Sequence, residues 1–184
     1  MRSKVIIYLL GALLLIFVVA YEHPFNHHVS AKETGSQRLL VPLINGKNEQ
    51  MGEAVLTQTA KGVRIAIKAE GLRPGIHAIH FHENGVCTPP DFMSAGGHFN
   101  PGEKKHGLNN PKGPHAGDMP NIFADCHGRV NTVLLNPRVT LEEGLPNSLR
   151  DADGSALIIH ERGDDQVTDP SGNAGARVLC GVIK

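Results

Sequence analysis

His80-Phe81-His82 places two imidazoles at i and i+2. On an extended strand such residues point to the same face, so both rings can reach one ion. Downstream, His98, His106, His115 and Asp118 follow with the spacing H-x7-H-x8-H-x2-D. Three imidazoles and one carboxylate form a closed tetrahedral set suited to zinc. His160 ends the apolar run Leu157-Ile158-Ile159 and taken alone says no more than a polar residue at a strand end. The chain carries 11 histidines against 3 cysteines, which favours a hard or borderline metal bound through imidazole over a thiolate cluster.

Ligands this far apart in sequence need a rigid frame. Residues 39–44, 53–59 and 63–69 are short apolar runs, the last alternating at Val63, Ile65, Ile67 and Ala69, with Asn45-Gly46 and Lys61-Gly62 as turn signals between them. Residues 76–82, 130–135, 156–160 and 176–183 continue the pattern. The predicted class is all-β, a sandwich or barrel of antiparallel strands. Residues 84–127 are dense in Gly, Pro, Asn and His without a period, and so long a loop inside a compact domain must be fastened, by a metal, a disulfide or both. At 184 residues and 40% hydrophobic content the chain can build one globular core. Zero formal net charge, 4% aromatics and no basic run exclude a nucleic-acid partner.

The amino terminus is set apart. Arg2 and Lys4 precede residues 5–20, an uncharged and mostly large apolar run, which is the pattern of an export signal. Small-residue cleavage sites occur at Val18-Val19-Ala20 and Val29-Ser30-Ala31. The run is also just long enough to span a bilayer, so removal and retention as an anchor both stay open. Residues 1–31 are therefore read as a signal peptide or an uncleaved anchor plus spacer, and residues 32–184 as the functional domain. The product is exported to the cell envelope, either anchored on the outer side of a membrane or secreted. There Cys87, Cys126 and Cys180 meet oxidising conditions, and three cysteines give one disulfide and one odd thiol.

Four segments then carry a family resemblance: Gly75-Ile-His-Ala-Ile-His-Phe-His-Glu-Asn-Gly85, Ser94-Ala-Gly-Gly-His-Phe-Asn-Pro101, His115-Ala-Gly-Asp118 and Gly172-Asn-Ala-Gly-Ala-Arg-Val-Leu-Cys-Gly-Val-Ile183. Together they resemble the copper/zinc superoxide dismutases, in particular bacterial exported members. The resemblance covers the chain from about Leu39 to Ile183 and implies a Greek-key barrel or sandwich. It also implies one copper on His80, His82, His98 and His160, and one zinc on His98, His106, His115 and Asp118, with His98 shared between the ions. Asp164 matches a carboxylate that holds His80 and His106 from behind, Cys87 and Cys180 match a disulfide, and Arg177 matches the arginine at the floor of the active channel. The implied reaction converts two superoxide anions to dioxygen and hydrogen peroxide, with copper cycling between +2 and +1 and His98 and Arg177 as catalytic residues. His77 has the opposite parity to His80 and His82 and is read as a structural histidine, while Cys126 is read as an exposed free thiol in a turn.

Between His160 and Arg177 lie 16 residues that include Asp164, Asp165 and Asp169 but no lysine. That segment is shorter than in eukaryotic members, so the resemblance does not carry over anion steering. The resemblance fixes neither a monomer nor a homodimer. The alternative function is a non-catalytic module of the same fold that binds copper or zinc.

Overall fold

The computed structural model describes residues 37–184; the apolar run at 5–20 and its flanking cleavage sites lie outside the described residues. The strands are β1 (Arg38–Asn45), β2 (Gln50–Thr59), β3 (Gly62–Ala69), β4 (Gly75–His77), β5 (Ile79–His82), β6 (Ile122–Ala124), β7 (Val130–Asn136), β8 (Ser155–His160) and β9 (Arg177–Ile183). Seven form one antiparallel sheet in the order β5-β8-β9-β1-β2-β3-β7, and β4 pairs with β6. Because β6 packs beside β7 and β4 runs on into β5, the sheet curls round on itself.

The alternation expected at 63–69 is present. Val63, Ile65, Ile67 and Ala69 are buried while Arg64 and Lys68 are exposed, as a sheet with one solvated face requires. Strands β5 and β8 are instead buried along their whole length. Their inner side chains, Ile79, Phe81, Leu157 and Ile159, join the main core. Their outer face is roofed by the loop after β5, where Phe92 and Ala95 pack on Ala156, Ile158 and Cys180.

Two differences from the sequence reading have simple causes. The expected strand at 76–82 is divided at Ala78, because the chain passes there from pairing with β6 to pairing with β8. Ala78 still donates to the Arg162 carbonyl at 2.8 Å and accepts from the His160 N–H at 2.9 Å, so the corner leaves no open backbone bond. The stretch at 84–127 contains β6 and a 3-10 turn at Met93–Ala95; three residues are too few to show a period.

Candidate metal centre

Cross-strand partners His80↔Ile158 and His82↔Ala156 put both histidines on the outer, roofed face of the barrel. His160 has the parity of Ile158 and shares that face. The free edge of β5 is taken up by loop backbone rather than by a strand. Phe81 N–H donates to Gly117 at 3.0 Å, Phe99 N–H to Phe81 at 2.8 Å and Glu83 N–H to Gly97 at 3.0 Å. These bonds set His98 opposite His82 and Asp118 opposite His80, which is how the loop brings candidate ligands to a strand.

One candidate group, His80, His82, His98 and His160, has ligand atoms within 4.8 Å of one another, and so has a second, His80, His98, His106 and Asp118. In the second group the expected member was His115. Its Nδ1 lies 3.4 Å from His98 Nδ1 and 3.4 Å from Asp118 Oδ1. His80 has only Nδ1 to offer, since its Nε2 is 2.8 Å from Asp164 Oδ2. His80 thus has one nitrogen for two candidate groups, while His115 lies beside the second group without being among its four members. His98 can belong to both, with Nδ1 3.1 Å from Asp118 and Nε2 unpaired.

The hydrogen bonds select tautomers. His82 Nδ1 faces the Gly96 carbonyl at 3.1 Å and His160 Nδ1 the Gly175 carbonyl at 3.3 Å, so each donates there and turns a lone pair at Nε2 inward. Burial lowers the pKa of His80 and of His82, His98 to about 4 and His160 to about 3, with neighbouring histidines adding to it in each case. Neutral imidazole is the ligating form. His106 behaves differently: burial opposes its charge, but hydrogen bonds to Asp118 and Asp164 outweigh this and raise it to about 9. Burial likewise opposes the charge on Asp118 and Asp164, yet the bonds from His106, His115 and His98 to the former, and from His106 and His80 to the latter, hold both carboxyls low.

Asp164 reaches His80 Nε2 at 2.8 Å and His106 Nε2 at 3.0 Å, the two rings expected for it. His77 is buried, with its ring nitrogens 2.7 Å from the His160 and Arg73 carbonyls, a structural role as its parity suggested. Arg177 is half-buried and donates to the Phe92 and Gly96 carbonyls at 2.7 and 2.6 Å. The Gly96 oxygen is thus shared by Arg177 and His82. The Cys87–Cys180 disulfide is formed and Cys126 is free and exposed.

Several supports were not visible in the sequence. Asn121 grips the Asp164 backbone from both sides, Nδ2 on its carbonyl at 2.8 Å and Oδ1 on its N–H at 2.9 Å. Asn136 Nδ2 donates to the Ala116 carbonyl at 2.9 Å, and Arg138 donates to that of Asp118. Nothing in their local pattern marks them out, since each acts on backbone far away in sequence. At Gly172, φ is +61° and a Cβ would lie 1.7 Å from Asp164 Oδ1; here the G-N-A-G motif was the available signal. The three carboxylates read as unfavourable for steering hold loops: besides Asp164, Asp165 caps the Val167 and Thr168 amides and Asp169 the His106 amide.

Residues 50–183 match the family model described as copper/zinc superoxide dismutase. The protein named Superoxide dismutase [Cu-Zn] 1 of Aquifex aeolicus is 55% identical over 143 residues, which cover 77% of this chain and 85% of that one. A superoxide dismutase-like protein of Bacillus subtilis is 42% identical over 161 residues, covering 86% of this chain and 76% of its own. Among solved structures, a SOD-like protein from Bacillus subtilis superposes with a TM-score of 0.77 at 44% identity, over 79% of this chain and 97% of the other. Cu/Zn superoxide dismutase from Brucella abortus gives 0.67 at 27% identity, over 80% and 100%. With the family model spanning most of its length and curated relatives above 50% identity, the chain belongs to the copper/zinc superoxide dismutase family.

Proposed function

We propose that His80, His82, His98 and His160 hold copper, that His98, His106, His115 and Asp118 hold zinc, and that His98 and Arg177 serve catalysis at the copper face. The protein is a superoxide dismutase: two superoxide anions and two protons give dioxygen and hydrogen peroxide. The observation that carries the ligand assignment is a set of four buried nitrogens, His80 Nδ1 and Nε2 of His82, His98 and His160, that have no hydrogen-bond partner. An unpaired buried polar atom costs about 1–3 kcal/mol, and one cation satisfies four converging lone pairs together. The donor chemistry also fits: four imidazoles suit copper, three imidazoles and a carboxylate suit zinc.

When bound, copper supplies the +2/+1 couple that passes one electron between two mutually repelling anions, and zinc, without redox chemistry, fixes the loop. The chain's own residues do the rest. Arg177, its guanidinium fixed on two carbonyls, offers a cation and donors that seat the small anion. His98 Nε2 would hold a proton for the peroxide product only while that nitrogen is not serving as a copper ligand, and water would provide the second proton. Burial shields the proposed ligand nitrogens of His80, His82, His98 and His160 from bulk water.

Residues 1–31 are proposed to export the protein and, if retained, to anchor it outside a membrane, with 32–184 as the enzyme domain. The disulfide supports an oxidising compartment. A mature protein beginning at Lys32 in a soluble fraction would reject the anchor. The enzyme assignment is tested by assaying dismutation after loading both metals. Full activity with one copper and one zinc per chain is expected; full occupancy without activity would instead identify a metal-binding module.

A further inference from the structure

Asp169 lies in the segment between β8 and β9 and belongs to neither group of ligand atoms. Its Oδ1 accepts the backbone N–H of His106 at 2.8 Å and stands 4.0 Å from Nε2 of His115. Its Oδ2 is 3.0 Å from Lys105 Nζ. The two loops also meet where the Gln166 carbonyl accepts the Asn109 N–H at 3.0 Å and the Val167 carbonyl accepts Asn110 Nδ2 at 3.1 Å, but those bonds fall on residues that carry no ligand. Asp169 instead meets the zinc-side histidines themselves.

His106 and His115 differ in how firmly they are held. The His106 ring is fixed through Nε2 by Asp164 and sits 3.0 Å from Asp118. The His115 backbone N–H donates to Asp118 Oδ2 at 2.9 Å, but its ring nitrogen Nδ1 approaches Asp118 Oδ1 and His98 Nδ1 only to 3.4 Å. A carboxylate facing the outward nitrogen of a ligating imidazole orients the ring and raises the basicity of the nitrogen that ligates; across 4.0 Å the pull of Asp169 on His115 is electrostatic, without a hydrogen bond. We propose that Asp169 is a positioning residue of the zinc half of the centre, tying the His106 backbone to the opposite loop and orienting His115 through its Nε2. The proposal rests on the zinc assignment above and extends it to the loop that lies across the site. A carboxylate that looks adverse for anion steering thereby acquires a role in metal retention.

The test compares full-length, copper- and zinc-loaded wild type with Asp169→Ala, Asp169→Asn and, as a control, Asp165→Ala. Asp165 serves only its own segment, taking the Val167 and Thr168 amides and Asn173 Nδ2. Zinc release to a chromogenic chelator is timed while copper content is followed, and exchange of the His106 amide is measured in the metal-free proteins. Asp169→Ala is expected to release zinc about tenfold faster with copper retained, the scale of losses from such outer partners, and to speed His106 amide exchange. Asp169→Asn, which keeps an acceptor but no charge, falls between, and Asp165→Ala releases zinc at the wild-type rate. Wild-type release from Asp169→Ala, or equal acceleration by Asp165→Ala, overturns the proposal. Failure of the zinc assignment reads differently: wild type would then take up no zinc, or His115→Ala would leave zinc release unchanged.

Discussion

Asp164→Asn replaces one oxygen by an NH2 group and leaves every ligand atom of the centre in place. The two oxygens are not equivalent. Oδ1 accepts from His106 Nε2 at 3.0 Å and from the Gln166 N–H at 2.6 Å, whereas Oδ2 accepts from His80 Nε2 alone at 2.8 Å. A backbone N–H cannot become an acceptor, so the single carbonyl oxygen of asparagine takes the Oδ1 position and its NH2 faces His80. Asn121 holds the backbone of residue 164 in place, which prevents the side chain from backing away. Two donors then confront each other at a site where both partners are fully buried. His80 escapes by moving its proton from Nε2 to Nδ1, and that proton occupies the lone pair needed for the ion. Losing a charge-assisted buried hydrogen bond costs about 1.5–3 kcal/mol, so copper affinity should fall roughly 10 to 100-fold, at about 1.4 kcal/mol per decade. Zinc affinity should fall less, because His106 keeps its acceptor. Chelator competition for each metal, read by metal analysis after dialysis, checks this. Zinc lost before copper, or both lost in parallel, would refute the unequal roles of the two oxygens.

His160→Ala should abolish copper binding and dismutation while zinc stays near one per chain; equal loss of both ions with the fold intact would break the assignment of separate groups. Gly172→Ala should weaken metal retention because a Cβ would lie 1.7 Å from Asp164 Oδ1, and unchanged chelator resistance would count against the need for glycine there. Burial lowers His98 to about 4 and His160 to about 3, below the roughly 6.5 of an unfolded histidine. Their neutral burial therefore stabilises the fold fully above about pH 6.5, and this is lost as pH falls toward 3. Metal-free protein should melt at progressively lower temperature over that window, and a flat profile would contradict the shifts. Cys87→Ser should destabilise the fold by about 2–5 kcal/mol, whereas alkylating exposed Cys126 should leave the melting temperature unchanged.

Much of the proposed ligand set was legible because strand parity is local. His80 and His82 share a face whatever lies beyond, and His77 falls on the other side by the same rule. Burial of that face was not legible, since it depends on Phe92 and Ala95 folding back from a loop whose composition suggested only turns. The break at Ala78 escaped notice because both halves of 75–82 are equally suited to extended structure; the change of partner from β6 to β8 is a tertiary fact. Asp165 and Asp169 were read by charge alone, yet each also accepts from backbone amides, which a sequence gives no means of counting. Asn121 and Arg138 stayed hidden for the same reason: they act on carbonyls and amides, which every residue has.

The placement of the histidines on the outer face of β5 and β8 separates two kinds of inheritance. The main core is lined by Ile79, Phe81, Leu157, Ile159 and their neighbours, and none of the proposed ligand side chains belongs to it. A lineage can therefore edit the ligands one at a time, exchanging a metal, a redox potential or the chemistry altogether, while the barrel that gives the chain its solubility and half-life is passed on unaltered. Conversely, drift within the barrel interior is not registered at the ions so long as strand parity and the loop bonds along the β5 edge persist. For an engineer, this fold is a chassis whose reactive fittings are bolted to the outside.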